Sequence, residues 1–220
     1  MTNGFDMSVF KQPKSDLIKK MLIALFADIL IGFGIAFNAC AGFGNDPISV
    51  LFDGIHTRFG LTLGMASDIA NYTMFIIVLL FGRRYINIGT FIYTLPLGFF
   101  VNVGISLYKL MGISDIIIFR ILMSVLACVI LFLGIAFYIA ISIGVDPWTG
   151  FAMILKDKTG KQYKVFRVAI DMSALVIGFL LGGKVGATTV VAALVGGPVI
   201  QAFSQFIEKS ILGLFKFKNK

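Results

Sequence analysis

The chain has little from which to build a metal centre or a hydrolytic site. Its 220 residues include one histidine, two cysteines and 11 acidic side chains, whereas a metal site needs three or four such ligands close together. Cys40 and Cys128 both sit inside apolar runs, where they read as small packing residues and not as a disulfide or a metal pair. No nucleophile–base pair or metal motif is present, so neither an enzyme nor a cofactor is expected. Charge as a whole is scarce. With 14% charged and 58% hydrophobic residues and a mean hydropathy of +0.96, there is too little polar material to coat a soluble domain. The net charge of +8 does not point to nucleic acid, because the Lys and Arg fall in short clusters between apolar runs, as orientation in a bilayer requires. The expected partner is the lipid bilayer.

What is present is a repeat. Gly34-Ile35-Ala36-Phe37 followed by Gly44-Asn45-Asp46-Pro47 returns one hundred residues later as Gly134-Ile135-Ala136-Phe137 and Gly144-Val145-Asp146-Pro147, with seven of the fourteen aligned positions identical. The register extends outward, pairing Gly60 with Gly160, Asn71 with Asp171 and Gly82 with Gly182. The chain therefore reads as two copies of one unit, a plan that many transporters share.

The apolar runs predict an all-α membrane protein. Residues 1–20 form a polar N-terminal arm and 21–42 the first span, which is too long for the apolar core of a signal peptide. Asp46-Pro47 then reads as a helix start, with Asp at the cap and Pro at the first turn. The helix it opens, 47–57, is too short to cross a hydrocarbon core of about 30 Å, so a re-entrant or interfacial half-helix is expected. Spans follow at 65–81 and 86–108, the latter kinked at Pro96. The second copy repeats the plan with a span at 116–143, a half-helix at 147–155, and spans at 166–181 and 185–206. Residues 21–108 and 109–206 are thus the two repeats, and 207–220 a basic tail.

Six spans with both termini in the cytoplasm put 15 of the 19 basic residues inside, leaving only Arg58, Lys109, Arg120 and Lys184 outside, in line with the positive-inside rule. Three spans per copy is an odd number, so the repeats are expected to be inverted. Asp46-Pro47 would then lie near the outer face and Asp146-Pro147 near the inner one.

Candidate binding residues follow from this plan. Asp46 and Asp146, with Ser49 and Thr149 in the first turns, either cap their own helices or turn those helix starts toward a solute or ion. Asp28 lies about 10 Å into the bilayer on a row of small residues, Ala24, Gly32 and Ala36, and should face the bundle as a structural acid or as a proton or cation coupling site. Cys128 replaces it in the second copy. Asn71 and Asp171 are aligned, and Asp171 stands four residues after Arg167, within ion-pair reach on one helix face. Asn102 and Gln201 are matching amides of the third and sixth spans, read as lining residues or interhelical hydrogen-bond partners. Trp148 reads as a headgroup-level anchor.

The duplicated Gly-x-Asp-Pro turn after an apolar helix, with Gly89-Thr90 opening the third span and Gly197-Pro198 in the sixth, resembles the bacterial YczE/YyaS/YitT family of small integral membrane proteins. The likeness runs from about residue 20 to 206. It implies a bacterial plasma-membrane location and brings no substrate or site residues with it. The leading expectation is a transporter or permease for a small solute or ion, with its site between inverted repeats. The alternatives are a non-transporting accessory or scaffold protein and a substrate-binding membrane subunit of an energy-coupled importer. A homo-oligomer or a partner membrane protein is left open.

Overall fold

A computed structural model describes residues 13–113 and 115–212. Most of the expected N-terminal arm and the end of the basic tail lie outside the described residues. Among the described residues nine α-helices follow in order: α1 (Lys14–Ala41), α2 (Pro47–Phe59), α3 (Leu63–Phe81), α4 (Ile88–Thr94), α5 (Leu97–Leu110), α6 (Ile117–Ile141), α7 (Pro147–Thr159), α8 (Tyr163–Leu180) and α9 (Ala187–Ile207). No strand occurs among the described residues. Among the described residues five stretches are long and apolar enough to cross a membrane, namely Lys14–Ala41, Leu63–Phe81, Ile88–Leu110, Ile117–Ile141 and Ala187–Ser210. The remaining long helix, α8, carries Lys164, Arg167 and Asp171 within its 18 residues. Leu22, Ile76, Phe99, Leu122 and Leu194 are all exposed on the outside of the bundle, a surface suited to lipid and not to water.

The first helix starts seven residues before the expected 21. Pro13 sets the break, its carbonyl accepting from the amides of Asp16 and Leu17 at 3.0 and 3.1 Å, and no residue between Lys14 and Met21 opposes a helix. At the other end Gly42 turns left-handed (φ 79°). There Arg120 donates to the Ala41 carbonyl from Nε and Nη2 at 3.0 and 2.9 Å, placing a cation on the negative end of the helix.

The repeated motif explains how α1 and α6 pack. In a bilayer no hydrophobic force pulls helices together, so association depends on close backbone approach and van der Waals contact. A Cβ on Gly34 would sit 2.7 Å from the Leu131 Cβ, and one on Gly134 2.8 Å from the Ala27 carbonyl oxygen. Ala27, Ala36, Ala127 and Ala136 are fully buried. The two glycines are thus the points at which the first helices of the two copies touch.

Each copy then supplies a short helix. α2 and α7 have 13 residues each, about 20 Å, well short of a span. The Asp46 carboxylate accepts from the Ser49 amide at 3.4 Å and Asp146 from the Thr149 amide at 3.0 Å. Both helices run beyond the expected 57 and 155, because the first residues able to stop them are Gly60 and Gly160, in the left-handed region at φ 68° and 72°.

The two halves are joined by exchange. α2 packs on α8, and α7 packs on α3. The start of α4 meets the loop before α7, with the Gly89 amide donating to the Ile143 carbonyl at 3.2 Å and Thr90 Oγ1 to that of Val145 at 2.8 Å. The start of α9 meets the loop before α2 in the same way, the Thr188 amide donating to the Phe43 carbonyl at 3.0 Å. The third apolar segment breaks at Leu95-Pro96, between α4 and α5, where the Gly98 amide donates to Asp68 Oδ1 at 3.0 Å. The last helix, in contrast, runs continuously through Pro198.

Candidate functional site

A cavity of about 1120 Å³ opens between the two halves, just above the usual size range of small-molecule sites. Its polar wall includes Asp46 and Ser49 from the start of α2, Asp146 and Thr149 from the start of α7, Arg167 and Asp171 from α8, and Gln201 from α9. Tyr93, Phe132 and Tyr138 form part of an aromatic wall. Six of the nine residues singled out in the sequence therefore meet in one place.

Arg167 is the hub of the polar wall. Its Nε donates to Asp171 Oδ2 at 3.3 Å, the i,i+4 pair expected from spacing, and its Nη1 donates to Thr149 Oγ1 at 3.2 Å. The same nitrogen is 3.9 Å from Asp146 Oδ1. Both cap acids use one oxygen on their own helix starts. The other oxygen of Asp46, one oxygen of Asp171 and the Tyr138 hydroxyl are buried with no hydrogen-bond partner among the described residues.

The other three candidates lie elsewhere. Asn71 accepts from the Trp148 indole N–H at 2.8 Å. Trp148 is 4% exposed, so it is a core residue and not a headgroup anchor: its one polar atom has a partner inside. Asn102 Oδ1 accepts from the Gly64 amide at 3.1 Å, and with the Asp68–Gly98 bond it clasps α3 to α5. Asp28 is fully buried on α1, faces the bundle and stands apart from the cavity lining, and neither of its carboxyl oxygens has a partner among the described residues. Asp68, Tyr93 and Tyr138 are close enough to interact with it electrostatically.

Asp68, Tyr93 and Tyr138 were not singled out in the sequence. A signal for Tyr138 was available, because it follows the second Gly-Ile-Ala-Phe just as Asn38 follows the first. Asn38 is fully buried in a network with Ser124 and Thr188 (3.2 and 2.7 Å) that also reaches Cys128 Sγ at 3.7 Å. The position after the motif is polar and inward-facing in both copies.

Long apolar helices, a lipid-compatible exterior and a polar cavity within the bundle define a multi-pass helical membrane protein. Within that class the chain belongs to a family of unknown function, DUF6198, whose model matches residues 18–205. It is similar to an uncharacterised protein of Haemophilus influenzae (strain Rd), 25% identical over 191 residues that cover 87% of this chain and 86% of that one. It is also similar to two proteins of Bacillus subtilis (strain 168). The uncharacterised protein YyaS is 24% identical over 190 residues, covering 84% of this chain and 92% of its own. The uncharacterised membrane protein YczE is 23% identical over 195 residues, covering 86% of each. No solved structure matches.

Proposed function

We propose that the protein is a transporter or permease for a small solute, with the cavity as its binding site and two inverted three-helix repeats as its frame. The observation that carries this reading is the cavity itself, walled by the starts of both half-helices and by polar side chains from both copies. In inverted-repeat transporters the site lies where the repeats meet and is formed by broken helical elements. The exchanged contacts support the pseudo-two-fold relation, since the α4 start bonds to the loop before α7 and the α9 start to the loop before α2. On this reading α8 is the sixth crossing. Its 18 residues reach about 27 Å, its Arg167 and Asp171 pair at the cavity, and Lys164 extends from its first turn toward the headgroups.

The exposed cations of the lining, Arg84 and Lys164, belong to the clusters that charge bias assigns to the cytoplasm. On this topology the side of the cavity that carries them faces the cytoplasm. Asp28, buried near Asp68 and the cavity tyrosines, is the proposed coupling position for a proton or cation.

The test is a screen of metabolites and ions for thermal stabilisation of the purified protein, followed by uptake of each hit into liposomes containing it. Saturable uptake that protein-free liposomes lack is expected. Specific ligands that stabilise the protein but never cross, in either direction and under any ion gradient, would refute transport and leave a binding subunit.

A further inference from the structure

The sign of charge that the cavity accepts can be worked out from its unused hydrogen-bonding groups, an inference that rests on the cavity being the solute site. Two features that would favour an anion are already occupied. The Ser49 and Thr149 amides at the half-helix starts donate to Asp46 and Asp146. Arg167 is engaged with Asp171 and Thr149 and lies near Asp146. Of the other cations in the lining, Arg84 is bonded to Asp157 and Lys164 is exposed. Two carboxylates, Asp146 and Asp171, thus share Arg167, and among the described residues Asp46 has no ion-pair partner within 4 Å.

Two of the buried groups that remain open are carboxylate oxygens, which accept and do not donate. Asp46 Oδ1 and Asp171 Oδ1 are buried and unpartnered, and an ionised carboxylate has only acceptor sites. A buried acceptor left unsatisfied is costly, so a solute bound here gains most by bringing N–H or O–H donors, preferably on a positive centre. Independently, Tyr138 lines the cavity, is 5% exposed and has a hydroxyl with no partner. Its ring packs against that of Tyr93 in a tilted arrangement, 5.4 Å between centroids, and aromatic faces attract cations. A bare metal ion does not suit the site. The volume is too large, and no group of three or more His, Cys, Asp or Glu among the described residues could hold one.

We propose that the cavity takes an organic cation, a solute whose protonated amine or amidine donates to Asp46 and Asp171 while its apolar body lies against the Tyr93–Tyr138 wall. The test uses the full-length protein in detergent at constant ionic strength, with benzamidine, benzyl alcohol and benzoate as matched cationic, neutral and anionic probes. Benzamidine is expected to raise the melting temperature saturably, and the other two are not. Asp46→Asn keeps a good helix cap, since Asn caps as well as Asp, but it should weaken benzamidine binding about tenfold or more, because a charge-assisted hydrogen bond is lost. Asp171→Asn carries the same expectation should the first variant fold poorly, and Tyr138→Phe should weaken binding severalfold. Stabilisation by benzoate or the alcohol in place of benzamidine, or unchanged benzamidine binding by a folded Asp→Asn variant, overturns the organic-cation assignment and leaves a solute site intact. Silence of all three probes also overturns it. The uptake experiment above decides separately whether the cavity transports.

Discussion

Gly34 offers a measurable test of how the two halves are held together. An alanine there would place its Cβ 2.7 Å from the Leu131 Cβ and 2.8 Å from the Leu131 Cα and N, where carbon atoms rest at about 3.5–4.0 Å. Two of the three obstructing atoms are backbone, which cannot rotate away, so α1 and α6 must separate locally. Overpacking of this kind costs about 1–3 kcal/mol, and a backbone obstacle argues for the upper half of that range. Replacing a helical glycine by alanine returns about 1 kcal/mol of helix propensity. The net expectation for Gly34→Ala is a loss of about 1–2 kcal/mol.

Gly196 is the control, since it too is helical but a Cβ there would meet only the rim of the Phe132 ring, at 3.3 Å. Gly196→Ala should be close to neutral, the gain in helix propensity offsetting a small shift of the ring, which puts about 1–2 kcal/mol between the two variants. Trp148, the single tryptophan, is buried against Asn71, so its fluorescence during denaturant titration in mixed micelles reports the unfolding of both. Equal stability of the two variants would refute the close α1–α6 crossing.

Two further outcomes are expected. Asp28→Asn should leave stability within about 1 kcal/mol of the natural protein, because neither carboxyl oxygen has a partner that the change would strand, while uptake loses its dependence on a proton or cation gradient. A destabilised variant, or a stable one with unchanged gradient dependence, removes Asp28 from coupling. For orientation, cysteines placed at Lys14, Arg83 and Lys158 in a background lacking Cys40 and Cys128 should be protected from an impermeant thiol reagent on intact cells, and one at Arg58 should react. Labelling at Lys158 without permeabilisation overturns the proposed topology.

The elements that chain-local chemistry controls were legible without coordinates. Asp-Pro at a helix start leaves few alternatives to a capped first turn, and both short helices form with Asp46 and Asp146 bonded as the cap position requires. Their ends were less legible, because the apolar pattern fades before the glycine that stops the helix. Arg167 and Asp171 were readable as a pair from their spacing alone, since four residues bring two side chains together on any helix.

Which side chains share a site depends on how each helix is rotated about its axis, and composition does not encode that. The repeated sequence by itself determined the duplicated plan and the two broken elements. Only the tertiary structure decided that Tyr138 enters the cavity while Asn38, at the matching position, closes a buried network. It also decided that Asp28 stops short of the cavity, and that Trp148 turns inward to Asn71. The physical reason is that a helix carries its periodicity in its own residues, whereas the direction in which a polar group must point is set by partners on other helices, distant in the chain. The break at Pro96 shows both contributions. The proline was visible in the sequence, but the acceptor for the Gly98 amide it leaves is Asp68, thirty residues away on a helix that only folding brings alongside.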